Sequence, residues 1–187
     1  MSNEHDLPMG GDWIPDVLPG SLWEKEDELH FGDARQMAML RIAEVEVGLT
    51  WQDLMRRYLF LGLGIHAGGE NGEFQFVRRV GEDEKPLSLE EEVSLEGTEW
   101  DERANRSDNE QEIVFNTIGR TSSALSAVAT SHNQTVRQML ERITSIGLRM
   151  SYELRHHEDS IAYYLKTSNG GTVRINELKL GGLSARG

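Results

Sequence analysis

The side chains best suited to metal or acid–base chemistry are six histidines: His5, His30, His66, His132, His156 and His157. Only His156-His157, followed by Glu158-Asp159, gathers possible ligands in sequence, and cationic side chains near a helix C-terminus are common without any metal. The chain has no cysteine, which excludes disulfides, thiolate metal sites, iron–sulfur clusters and a thiol nucleophile. A His-Glu-x-x-His zinc motif, a Walker loop and a dinucleotide fingerprint are all missing. Gly62, Gly64, Gly68 and Gly69 lack the strand-then-helix setting of a phosphate loop, and no Ser/His/Asp set has recognisable surroundings. The expectation is a protein that is not an enzyme and carries no metal and no cofactor. Binding chemistry remains. Arg56-Arg57 and Arg78-Arg79 are suited to nucleic acid, and equally to plain solvated faces.

The charge is unevenly placed. The 187 residues carry 32 acids and 19 Lys or Arg, net -13. Residues 1–34 hold net -8 and residues 82–112 net -10, whereas 35–81 and 113–187 hold +1 and +4. The acidity therefore lies in an N-terminal arm, 1–25, and a linker, 90–111. The arm is rich in Pro and Gly yet contains Trp13 and Trp23, which suits either an arm docked loosely on its own fold or a segment that folds on a protein partner. The linker is Glu-rich with few large apolar residues and reads as disordered. Hydrophobic content of 37% is low for a fully packed chain. No apolar run reaches the roughly 20 residues of a membrane span, and the N-terminus has no basic-then-apolar leader. A cytoplasmic protein away from membranes is expected.

The segments that must position any site are found by comparing the halves at an offset of 85 residues. Leu40/Leu125, Thr50/Thr135, Arg57/Arg142, Gly62/Gly147 and Leu63/Leu148 coincide. Gly48 and Asn133 are the residue types that best tolerate the left-handed end of a helix. Two residues on, Thr50 and Thr135 are N-caps, with Asp53 and Gln138 three residues further completing a capping box or a close variant. Helices are predicted over 33–47 and 50–66, and again over 119–132 and 135–155. Extended segments precede them at 28–31 and 113–118. Hairpins follow, 74–80 with 85–89 and 161–167 with 172–178, the second around Asn169-Gly170.

Strand, helix, left-handed turn and capped helix resemble the ribbon-helix-helix (Arc/MetJ-type) superfamily of DNA-binding regulators and antitoxins. The stretch Ala124–Leu140 is similar to that pattern in its apolar positions, turn Asn133, cap Thr135 and following Arg137. Gly48–Arg56 repeats it. The expected fold class is α+β: two tandem ribbon-helix-helix-like units, 26–89 and 112–180, each ending in a β-hairpin, with the acidic arm, the acidic linker and a short tail, 181–187. The resemblance implies that two strands pair into a ribbon that enters the DNA major groove while the second helices hold phosphates at their N-termini. Ribbon readers would be Ile113, Phe115 and Thr117, or at the opposite parity Val114 and Asn116, with Glu28 and His30 in the first copy. Phosphate holders would be Thr50, Trp51, Asn133, Gln134 and Thr135, beside Arg137.

The implied function is a DNA-binding transcriptional regulator or an antitoxin-like protein whose arm holds a basic partner such as a toxin. Base readout favours Arg, Lys, Asn, Gln or Thr, yet the first strand offers Asp27 and Glu28, which phosphates repel. The alternative is a protein-interaction or assembly module that keeps the scaffold without DNA. The two strands pair either within one chain, as a pseudo-dimer, or between chains of a homo-oligomer.

Overall fold

The computed structural model describes residues 26–105 and 113–176. The fold is mixed α and β with antiparallel sheets. Its elements come in two series of the same order. The first is β1 (Glu26–Phe31), α1 (Ala34–Val47), α2 (Trp51–Asn71), β2 (Phe74–Val80) and β3 (Asp83–Pro86). A short helix α3 (Glu99–Ala104) follows. The second series is β4 (Ile113–Ile118), α4 (Gly119–Ser131), α5 (Val136–His156), β5 (Ile161–Thr167) and β6 (Thr172–Ile175). Each strand matches its counterpart in length, and α2 and α5 have 21 residues each.

The helix breaks follow from their residues. Gly48 has φ +86° and Asn133 φ +57°, so both sit in the left-handed region that few other residues tolerate. Thr50 accepts a hydrogen bond from the Asp53 amide, and Thr135 accepts one from the Gln138 amide. Only α5 has the reciprocal bond, from the Thr135 amide to Gln138 Oε1 at 3.0 Å. Asp53 is one methylene shorter than Gln and pairs with Arg56 instead. Helix α2 outruns its predicted end by five residues, to Asn71, with Gly72 as its left-handed cap. Gly68 lets that last turn lie against Phe74, where a Cβ would press on the Phe74 carbonyl. Strand β3 starts at Asp83 rather than Lys85, because Val80 pairs with Asp83 and the turn is the two residues Gly81-Glu82.

The two series interlock. Strands β1 and β4 form a two-stranded antiparallel ribbon within one chain, with Leu29 opposite Phe115 and Glu28 opposite Asn116. The hairpins join edge to edge into a four-stranded sheet, β3-β2-β5-β6, in which β2 and β5 pair antiparallel. Helices α2 and α5 cross closely between them. A Cβ at Gly62 would collide with Ile143, and one at Gly147 with the Tyr58 ring. Tyr58 precedes Ile143 by the same 85 residues that separate Gly62 from Gly147, so the two contacts are reciprocal. A single core of Phe31, Leu40, Leu54, Met55, Tyr58, Phe115, Leu125, Met139 and Leu140 runs through both series.

The acidic stretch departs from the disordered linker that its composition suggests. Over its described part, Leu95, Trp100 and Ala104 are buried, with α3 lying on α1. Asp101 is buried and ion-paired to Arg35, and Trp100 Nε1 donates to Glu46 at 3.1 Å. Arg142 donates to the Leu89 carbonyl at 2.9 Å. Apart from Asp101, the acids of this stretch face solvent, and its few apolar residues are spaced to reach the core. No helix among the described residues is long and apolar enough to cross a membrane.

Candidate functional site

The ribbon is the surface on which sequence reasoning concentrates, and its parity decides what it offers. Alternate strand residues point to opposite faces. Ile113, Phe115 and Thr117 point inward and are buried, together with Leu29 and Phe31. Trp51 packs against Phe115, their rings 6.3 Å apart. The expectation that Ile113, Phe115 and Thr117 read a ligand is therefore corrected: they are core residues. The outward face has the opposite parity: Glu26, Glu28, His30, Val114 and Asn116. Val114 is 42% exposed, and His30 lies 3.3 Å from the Glu28 carboxylate. The ambiguity is plain in Ile113-Val114-Phe115, three apolar residues in a row. The partner strand resolves it, where buried Leu29 and Phe31 alternate with exposed Glu28 and His30.

The helix starts differ between the series. At the head of α2 the Trp51 amide donates to Glu44 Oε2 at 3.0 Å. The place where the resemblance puts a phosphate thus holds a carboxylate of the chain itself. In the second series the residue equivalent to Glu44 is Ala129, which has no carboxylate. Asn133 and Thr135 are exposed at the α4–α5 turn, with Gln134 half-buried. Arg137 is engaged locally: Nη2 donates to the Gly32 carbonyl at 2.9 Å and Nε to Glu141 at 3.1 Å. Glu141 in turn accepts from the Gly32 amide at 2.8 Å. Arg137 and Glu141 together tie the start of α5 to the end of β1. Trp13 and Trp23, the expected partner contacts, lie outside the described residues.

The basic pairs do not gather into a patch. Arg56 pairs with Asp53 and Arg79 with Glu84. Arg78 turns inward and grips Glu153 with two hydrogen bonds, 2.8 and 2.7 Å, while Tyr163 donates to the same carboxylate at 2.6 Å. Burial pushes the Glu153 carboxyl up, but the hydrogen bonds from Arg78 and Tyr163 outweigh it and hold the group below its ordinary value.

His156 does not join Glu158 and Asp159. It turns to Glu46, 3.1 Å away, and stacks on Tyr152 with ring centroids 4.5 Å apart. Glu46, Glu99 and His156 form the one group of three possible metal ligands among the described residues. Glu46 is already taken by Arg103 at 2.5 Å and by Trp100, which makes this a closed ion-pair network. Two shallow polar hollows meet at Glu141 and Ser145, and no histidine lines either. Sequence reasoning missed Glu44 and Glu141. The signal was available for Glu141, which stands four residues after Arg137 at helical pairing distance.

Against family models, curated proteins and solved structures, the chain finds no match.

Proposed function

We infer that this chain is a protein-interaction module: a single-chain, ribbon-helix-helix-like pseudo-dimer whose ribbon presents an acidic face to a basic protein partner. One observation carries the reading. The outward ribbon face has Glu26 and Glu28, with His30, Val114 and Asn116, and no Lys or Arg. Phosphate contacts supply most DNA affinity, so a major-groove reader with two carboxylates on its reading face works against itself. The carboxylate of Glu44 on the Trp51 amide weighs the same way, since it occupies one of the two helix starts that the DNA reading needs. The DNA-binding regulator is therefore the weaker reading. An antitoxin-like role survives in the form of an acidic surface for a basic partner. The acidic arm with Trp13 and Trp23 is a second contact for the same partner.

The test is an NMR titration of the full chain with a Lys/Arg-rich peptide. Salt-sensitive shifts on the amides of Glu26, Glu28, His30 and Asn116, lost in Glu26→Gln/Glu28→Gln, are expected. Shifts that avoid the ribbon would overturn the reading.

A further inference from the structure

A second feature lies away from the ribbon and is independent of any partner there. His66, on α2, and His132, at the C-terminal cap of α4, bring one ring nitrogen each to the same point: Nδ1 of His66 lies 3.4 Å from Nε2 of His132. The rings meet edge to face, with centroids 5.4 Å apart. We propose that His66 and His132 form a binding site for a divalent transition metal, zinc before others, that bridges the two series of elements.

Three observations support it. The first is the spacing. Two Zn–N bonds of roughly 2.0–2.1 Å meeting at a tetrahedral angle set their nitrogens about 3.4 Å apart. The second is the tautomer. The other nitrogen of His132, Nδ1, is buried without a hydrogen bond of good geometry and faces the Glu90 carboxylate at 3.4 Å. With its proton on Nδ1, on the side of that carboxylate, the ring would turn the Nε2 lone pair to His66. This is the outer-shell arrangement that orients metal-bound histidines. The third is access. The His132 side chain is 17% exposed, enough for water to complete a coordination shell that no third His, Asp or Glu among the described residues fills. Neutral imidazoles suit zinc, copper and nickel and have little affinity for magnesium or calcium. Bound there, the ion would pin the C-terminal half of α2, in the first series, to the end of α4, in the second.

The test uses chelator-treated full chain titrated with Zn²⁺ by calorimetry, with ¹⁵N-histidine NMR on the same samples. The expected result is one ion per chain, with large shifts at His66 Nδ1 and His132 Nε2. His66→Gln and His132→Gln should each weaken binding by at least about tenfold, and Glu90→Gln by about tenfold through the lost outer shell. His156→Gln should leave binding unchanged. The NMR readout on unmodified protein keeps the test valid if a variant fails to fold. No binding, with the pair remaining an imidazole–imidazole hydrogen bond, would overturn the proposal. So would binding that His156→Gln abolishes, which would place the ion at Glu46 and Glu99.

Discussion

The two series share their elements but not their ends. Helices α2 and α5 have the same length, the same capping threonine and a glycine at the same point of mutual contact. Yet α2 begins on a carboxylate of its own chain, Glu44, while α5 begins on a capping box and on Arg137, which fastens to Gly32. The interior of each series is constrained by the other, because Gly62 faces Ile143 and Gly147 faces Tyr58. The ends meet solvent and are free to differ. Having both series in one chain makes this possible, since a symmetric pair of identical chains must carry the same residue at both starts.

The largest test of the comparison strikes α3, the one helix among the described residues without a counterpart. Trp100→Ala should cost about 4 kcal/mol, because a fully buried indole leaves a cavity between α3 and α1. A loss below about 1 kcal/mol in a urea titration would return the acidic stretch to the role of a loose linker.

Next comes the buried carboxylate that joins the second series to the first. Glu153→Gln should destabilise by about 3 kcal/mol, since the Arg78 charge loses its partner. The pH dependence has a definite sign. Glu153 titrates below its ordinary 4.5 when folded. Its stabilisation is therefore full above that value and is lost as pH falls through the folded-state value. Part of the acid slope below about pH 4.5 should vanish in the variant. Identical slopes in wild type and variant would assign that stability elsewhere.

The reciprocal glycines come third. Gly147→Ala should cost about 2 kcal/mol by overpacking against a rigid ring, offset in part by the helix preference for Ala. Gly62→Ala should cost less, because Ile143 can change rotamer and a Tyr ring cannot shrink. Equal and negligible losses would mean that α2 and α5 are further apart than the glycines imply.

The smallest effect separates the two helix starts. Thr135→Ala should cost about 1 kcal/mol of unfolding free energy. Thr50→Ala should cost less, because Glu44 still serves the Trp51 amide. The reverse order would remove Glu44 from any capping role.

The sequence made the helix breaks legible because each rests on local chemistry, a left-handed Gly48 or Asn133 followed by a capping Thr. The second hairpin was legible for the same reason, at Asn169-Gly170. The ribbon parity was not, because Ile113-Val114-Phe115 has no alternation and only its pairing with Leu29 and Phe31 turns Phe115 inward. The ordered part of the acidic stretch was hidden too. A composition dominated by Glu outvotes Leu95, Trp100 and Ala104, although the last two, with Asp101, are the buried residues that seat the six-residue helix. Of the candidate site, the sequence showed which residues stand on the ribbon and at the helix starts. It did not show that Glu44 and Glu141 are spent on backbone amides, since those contacts depend on packing between elements.

The most direct measurement is fluorescence anisotropy of labelled random duplex DNA with the full chain at low salt, where phosphate contacts are strongest. The acidic ribbon predicts no binding by the native protein, and a gain of salt-sensitive binding in Glu26→Lys/Glu28→Lys. Salt-sensitive binding by the native chain would contradict the account: loss of that binding in Asn116→Ala would make the ribbon a DNA reader, and binding unchanged in Asn116→Ala and in Glu26→Gln/Glu28→Gln would move the nucleic-acid surface elsewhere on the molecule.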